Sequence, residues 1–273
     1  MTDDIDDISQ ASVGKVVEFK LKDAAAYYNR GIAYIQFGNY DQAIGDFDKA
    51  IEIDREFAEA YNNRGIAYND LGNYNQAIEN FDKAIKFDSK DAAEYNNRGV
   101  AYANLGNYKQ AIDDYDKAIE LQSEYAKAYT NRGHAYYHLG NFNRAIADFD
   151  RAIELDSQYV NAYNNRGAVY GKLNNFNQAI VDFDKAVELD PQNAQAYCHL
   201  GIIYASVGNY DHAMENFDKA IRLDPKYAKA YFHRGWTYVK LRNLPQAFND
   251  IKILAQLGDK SAQKFLSKKG IDW

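Results

Sequence analysis

The feature that most constrains this chain is a glycine that returns every 34 residues: Gly31, Gly65, Gly99, Gly133, Gly167, Gly201 and Gly235, with no insertion between any two. A fixed period of this length specifies one small unit stacked on copies of itself. The segment YNNRG ends on this glycine at 61–65, 95–99 and 163–167. Relatives of it stand at 27–31 (YYNRG), 129–133 (YTNRG), 197–201 (YCHLG) and 231–235 (YFHRG). Taking the glycine as position 8 divides the chain into units 24–57, 58–91, 92–125, 126–159, 160–193, 194–227 and 228–261.

Inside unit 58–91, large or small apolar residues recur at helical spacing twice, as Tyr61, Gly65, Tyr68 and Leu71, then as Ala77, Ile78, Phe81, Ala84 and Ile85. Gly72 falls where a first helix should end, because glycine accepts the left-handed conformation beyond a C-cap. Asn73 with Gln76 reads as an N-cap and its reciprocal partner, opening a second helix. The pair returns as Asn39/Gln42, Asn107/Gln110, Asn175/Gln178 and Asn243/Gln246. Each unit is therefore expected to be two antiparallel helices, with Gly65 and Ala77 permitting close backbones and the aromatics filling the space between neighbours. One such pair cannot bury its own faces, so stability must come from stacking.

These residues resemble the tetratricopeptide repeat (TPR) family over residues 24–261. Position 4 is Tyr, position 8 Gly, position 11 Tyr and position 20 Ala in all seven units, while position 24 is aromatic and position 27 Ala in six. The resemblance implies an all-α, right-handed superhelical solenoid that binds other proteins and has no catalysis of its own. Departures stand out against it. Position 7, usually leucine in the family, is arginine except at Leu200, and the family's proline at position 32 survives only as Pro191 and Pro225. The seventh unit has Arg242 for the turn glycine, Pro245 in the first turn of its second helix, and Ile251 and Leu254 for the aromatic and the alanine. Residues 262–273 are expected to supply a capping helix and tail, and residues 1–23 an acidic N-terminal tail.

Asparagine is a mediocre helix former, so its recurrence on the first helices needs another cause. Positions 2, 5, 6, 9, 12 and 13 share one helical face, which the resemblance places along a concave groove. Position 6 holds Asn29, Asn63, Asn97, Asn131 and Asn165, then His199 and His233; position 5 adds Asn62, Asn96 and Asn164. An amide donates and accepts at once and so can hold a peptide unit by its C=O and N–H. The row resembles the asparagine ladders of the TPR region of O-GlcNAc transferase and suits an extended peptide. In units one to three the charged groove residues are Glu59 and Asp70; later units have Lys127, Lys172, Lys229 and Lys240, beside Tyr137, Phe232 and Trp236. An acidic or C-terminal segment with an apolar anchor would complement that second half. The carboxylate clamp of chaperone-binding TPR domains is not matched: its best register finds Asn97 and Lys127, with Asn62, Ile66 and Asn131 in the remaining places.

Composition closes off other classes. The net charge of −7 opposes a nucleic-acid partner, and no apolar run approaches the roughly 20 residues of a membrane span. With one cysteine, Cys198, and an acidic start, MTDDIDD, a cytoplasmic location is expected. His134 and His138 stand four apart, a spacing metals use, but no carboxylate or thiolate in their unit's groove completes a site. No phosphate loop or catalytic set occurs, and no cofactor or metal is expected. The carboxylates of the repeated DFDKAI read as solvated faces and partners of the position-7 arginines. Val17, Phe19 and Leu21 alternate like a strand with no partner strand. The alternative to peptide binding is a homo-oligomeric scaffold joined through an acidic N-terminal and a basic C-terminal end, or a tail that enters a groove as a pseudo-ligand.

Overall fold

A computed structural model describes residues 23–273, all of whose regular structure is α-helical. The expected strand-like stretch at Val17–Leu21 and the acidic start lie outside the described residues. By internal contacts the chain forms two units, divided between Glu124 and Tyr125. The first contains α1 (Ala24–Gln36), α2 (Tyr40–Ile53), α3 (Ala58–Asp70), α4 (Tyr74–Phe87), α5 (Ala92–Asn104) and α6 (Tyr108–Leu121). The second contains α7 (Ala126–His138), α8 (Phe142–Leu155), α9 (Val160–Lys172), α10 (Phe176–Leu189), α11 (Ala194–Ser206), α12 (Tyr210–Leu223), α13 (Ala228–Lys240), α14 (Leu244–Gln256) and α15 (Lys260–Lys268).

Within each unit a repeat's first helix packs on its own second helix and on the second helix of the repeat before it. The position-8 glycine makes the first contact possible. A Cβ on Gly99 would lie 2.6 Å from Tyr115 Cε1, and one on Gly65 would lie 2.7 Å from Phe81 Cε1. The ring at position 24 thus occupies the volume a side chain would need. Phe47, Phe81, Tyr115, Phe149, Phe183 and Phe217 are all buried there, with alanines of positions 20 and 27 around them.

The position-7 arginines add a polar tie that runs both ways. Arg98 donates from Nε to Asp114 of its own repeat at 2.9 Å and from Nη1 to Asp82 of the preceding one at 2.6 Å. Arg166 does the same with Asp182 at 2.9 Å and Asp150 at 2.6 Å, and Arg234 with Asp250 at 3.0 Å and Asp218 at 2.6 Å. The DFDKAI carboxylates therefore divide. The first aspartate is buried at Asp46, Asp114, Asp148, Asp182 and Asp250, contrary to its reading as a solvated face. The second is about half exposed at Asp48, Asp82, Asp150 and Asp218. Each guanidinium also lies over the tyrosine three residues earlier, as Arg98 does over Tyr95 at 5.7 Å.

Turn chemistry differs from the sequence expectation in one respect. Asn39, Asn73, Asn107, Asn141 and Asn175 are N-caps by position but make no side-chain capping bond. Only Asn209 and Asn243 reach the amides of His212 and Gln246, at 3.4 and 3.5 Å. Backbone bonds hold the turn instead: Asn73 N–H reaches Tyr68 O at 2.8 Å, and Gly72 adopts φ +78° just before it. Where this glycine is missing, Asn174 and Arg242 still take φ near +60°. Pro245 enters the first turn of α14, where no intrahelical partner is lost. The short α15 then covers the last repeat, burying Ala262 and Leu266 against Tyr231, Leu254 and Ala255.

Candidate functional site

The first helices put positions 2, 6, 9 and 13 on an open face, but position 5 turns inward. Asn96 and Asn164 are 0% and 4% exposed, so burial removes both from the surface on which a peptide would meet them. The reason is stacking: position 5 faces position 6 of the next repeat. Asn97 Nδ2 donates to Asn62 Oδ1 at 3.2 Å, and Asn63 Nδ2 donates to the Tyr28 hydroxyl at 3.0 Å and to Glu59 O at 2.9 Å. Asn104 likewise donates to Asn69 Oδ1 at 3.1 Å. One amide hydrogen each of Asn63 and Asn97 is thus used between repeats. Asn29 is exposed and Asn63, Asn97, Asn131 and Asn165 are half-buried, so the row still borders the open face.

In the second unit this face is recessed. One hollow of about 570 Å³ is lined by Tyr137, Lys172, Phe183, His199 and Lys229 among others. A second, of about 430 Å³, lies against Tyr210, Phe217, Phe232, His233, Trp236 and Lys240. Ile202 and Ser206 line both. Lys229 Nζ lies 2.9 Å from His199 Nε2, which fixes that nitrogen as an acceptor. Burial, Lys229 and His233 hold the His199 imidazole down to about 3, so it is neutral at physiological pH. His233 is lowered by burial and by Lys229. Lys127 is exposed on α7 but lines neither recess.

Of the other candidates, His134 and His138 approach each other at 3.3 Å between Nε2 atoms. Among the described residues no group of three or more potential ligands is placed to hold a metal. Cys198 is buried, and burial pushes its thiol up to about 12, the opposite of a reactive thiolate. No helix among the described residues is long and apolar enough to cross a membrane. The end-to-end alternative and the pseudo-ligand reading both turn on the acidic start, outside the described residues.

Sequence reasoning missed Tyr210 and Phe217 as recess walls, because they come from a second helix whose pattern elsewhere is simple packing; Ser206, at position 13 of a first helix, was on the expected face but was not singled out. It also passed over Glu94. This carboxyl is 2% exposed, with Oε2 unpartnered, at position 3, where the six other repeats have alanine. That departure was visible in the repeat alignment. Burial, then Asp91, Asp88 and Glu59, push the carboxyl up to about 8.

The fold and its repeated signature define a helical-repeat interaction protein. The tetratricopeptide repeat profile matches residues 24–57, 58–91, 92–125, 160–193 and 194–227, and related TPR profiles match 114–147, 133–174 and 216–248. The chain belongs to the tetratricopeptide repeat family. Among solved structures it is similar to a TPR protein from Parabacteroides merdae, at 21% identity and TM-score 0.72 over 90% of this chain and 97% of that one. It is similar to YrrB, described as a TPR protein with an unusual peptide-binding site, at 29% identity and TM-score 0.51 over 67% of this chain and 95% of that one. MamA is similar at 29% identity and TM-score 0.53, over 60% of this chain and 96% of that one. No curated protein sequence matches the chain significantly.

Proposed function

We propose that this protein is a non-catalytic interaction module that holds an extended segment of a partner protein along the open face of its first helices. The observation that carries this reading is the pair of adjoining recesses on that face in the second unit, lined at position 6 by His199 and His233. Hydrogen bonds between repeats occupy amide hydrogens of Asn63 and Asn97 and pre-order the side chains. The Asn63 Oδ1 remains available to accept a partner's N–H. A net hydrogen bond contributes about 0.5–1.5 kcal/mol, so the row alone gives modest affinity and the recesses must add to it. The similarity to YrrB, itself described as having a peptide-binding site, supports the same reading.

A photo-crosslinking residue placed at Gln195 or Asn161, both exposed at position 2, should capture partner segments in native lysate. The same residue at Val181 or Glu215, exposed on second helices, should capture far less. Equal or greater capture from the second helices would overturn the assignment.

A further inference from the structure

We propose that the second unit selects an acidic peptide carrying a bulky apolar residue, with its carboxylates at Lys172 and Lys229 and the apolar side chain against Phe232 and Trp236. This rests on the groove reading above and specifies its ligand.

Three observations lead there. First, position 5 is closed off in the repeats before it, at Thr130, Asn164 and Cys198, whereas Phe232 is 58% exposed and Trp236, one turn on, is 59% exposed. The short α15 packs on Tyr231 at the start of α13 and leaves these two rings open. Second, the recess beneath them adjoins the one that Lys172 and Lys229 border, with Ile202 and Ser206 as shared walls. Third, positions 2, 6, 9 and 13 of repeats four to seven contain Lys127, Lys172, Lys229 and Lys240 and no acidic residue. Among the described residues none of these lysines is in an ion pair. Lys229 instead leans on the neutral His199, and Lys240 lies 5.5 Å over the Trp236 ring.

A basic segment would meet uncompensated repulsion there. A purely apolar one would desolvate Lys229 and Lys240 without return. An acidic segment compensates the lysines and still has an aromatic surface on which to bury one large side chain. Four lysines in a chain of net charge −7 are too few for a phosphate backbone, so nucleic acid is an outcome of the test rather than the expectation.

The test uses full-length protein carrying Trp273→Phe, which leaves Trp236 as the single tryptophan reporter. Three blocked heptapeptides are titrated: Asp-Glu-Asp-Phe-Glu-Asp-Glu, the same with Gly for Phe, and Lys-Lys-Lys-Phe-Lys-Lys-Lys. The expected result is a saturable fluorescence change with the first, weakened about tenfold by Lys172→Glu or Lys229→Glu and by raised salt. The glycine peptide should bind several-fold more weakly and the lysine peptide should not bind. Equal binding of acidic and basic peptides, indifference to both lysine reversals, or tighter saturation by oligouridylate would overturn the proposal. Binding that appears only after Asp3, Asp4, Asp6 and Asp7 are changed to Asn would uphold it, with the chain's own start as the competing acidic occupant. If crosslinking places partners on this face while the acidic peptide fails, only the ligand class is wrong. If crosslinking fails there too, the groove reading falls with it.

Discussion

A single methyl group separates what these repeats tolerate from what they do not. Gly99→Ala would press a Cβ into the Tyr115 ring at 2.6 Å, so a loss of about 2–4 kcal/mol in urea unfolding is expected. At Gly235 the position-24 residue is Ile251, the nearest atom is Asp250 Cβ at 3.2 Å, and alanine should cost under about 1 kcal/mol. Gly45, exposed in α2 with nothing near its missing Cβ, should instead gain about 0.5–1 kcal/mol as alanine. Glu94 makes a second prediction at this scale. Its carboxyl titrates near 8 in the folded chain against an ordinary 4.5, so the folded state keeps a proton that the unfolded state has lost. Stability should therefore fall as pH rises from about 4.5 to about 8, then level off. Position N3 of α5 favours the anion and trims the effect. Glu94→Ala, the residue of every other repeat, should flatten that slope and gain about 2 kcal/mol at pH 8, read from urea midpoints across pH. An unchanged slope would mean the carboxyl is not what titrates.

Between helices, the arginine tie can be lost whole or in part. In the sixth repeat Leu200 and Asn216 replace the arginine and the first aspartate, so both charges leave together. In the second repeat, by contrast, Asn80 replaces the aspartate and Arg64 stays, donating to Asn80 Oδ1 at 2.7 Å and to Asp48. Asp184, the carboxylate that would have met the missing guanidinium, is raised by burial alone. Arg166→Ala should be severe, about 3 kcal/mol, because Asp182 is left buried without its partner. The double change Arg166→Leu with Asp182→Asn, which copies the sixth repeat, should recover most of that loss in the same unfolding assay. A double variant no better than the single one would show that the buried charge is not the cause. Helix existence and pairing were legible from the 34-residue period, because glycine, alanine and aromatic positions each report a packing constraint. The capping asparagines were not, since asparagine at an N-cap position does not reveal which backbone bonds already close the turn. Nor was the burial of Asn96 and Asn164, because the periodicity of one helix cannot tell an outward face from one met by the next repeat.

Over the whole chain, stability is a sum of repeats and their junctions, so local defects stay local. Charge follows the same logic. Glu59 and Asp70 belong to the first unit's open helices and four lysines to the second's, so the two units present opposite charge on their first helices. The junction of the sixth and seventh repeats stands apart in a further way, for the chain's only thiol is Cys198, fully buried against Ala230 where other repeats place an amide, a hydroxyl or a ring. An alkylating reagent reaches that sulfur only while the seam is parted, so labelling amounts to a clock built into one joint of the stack. An opening free energy of about 4 kcal/mol would slow iodoacetamide roughly a thousandfold relative to unfolded chain. An acidic peptide bridging Lys172 and Lys229 spans the same joint and should slow the clock further, reporting occupancy from inside the protein rather than from its surface.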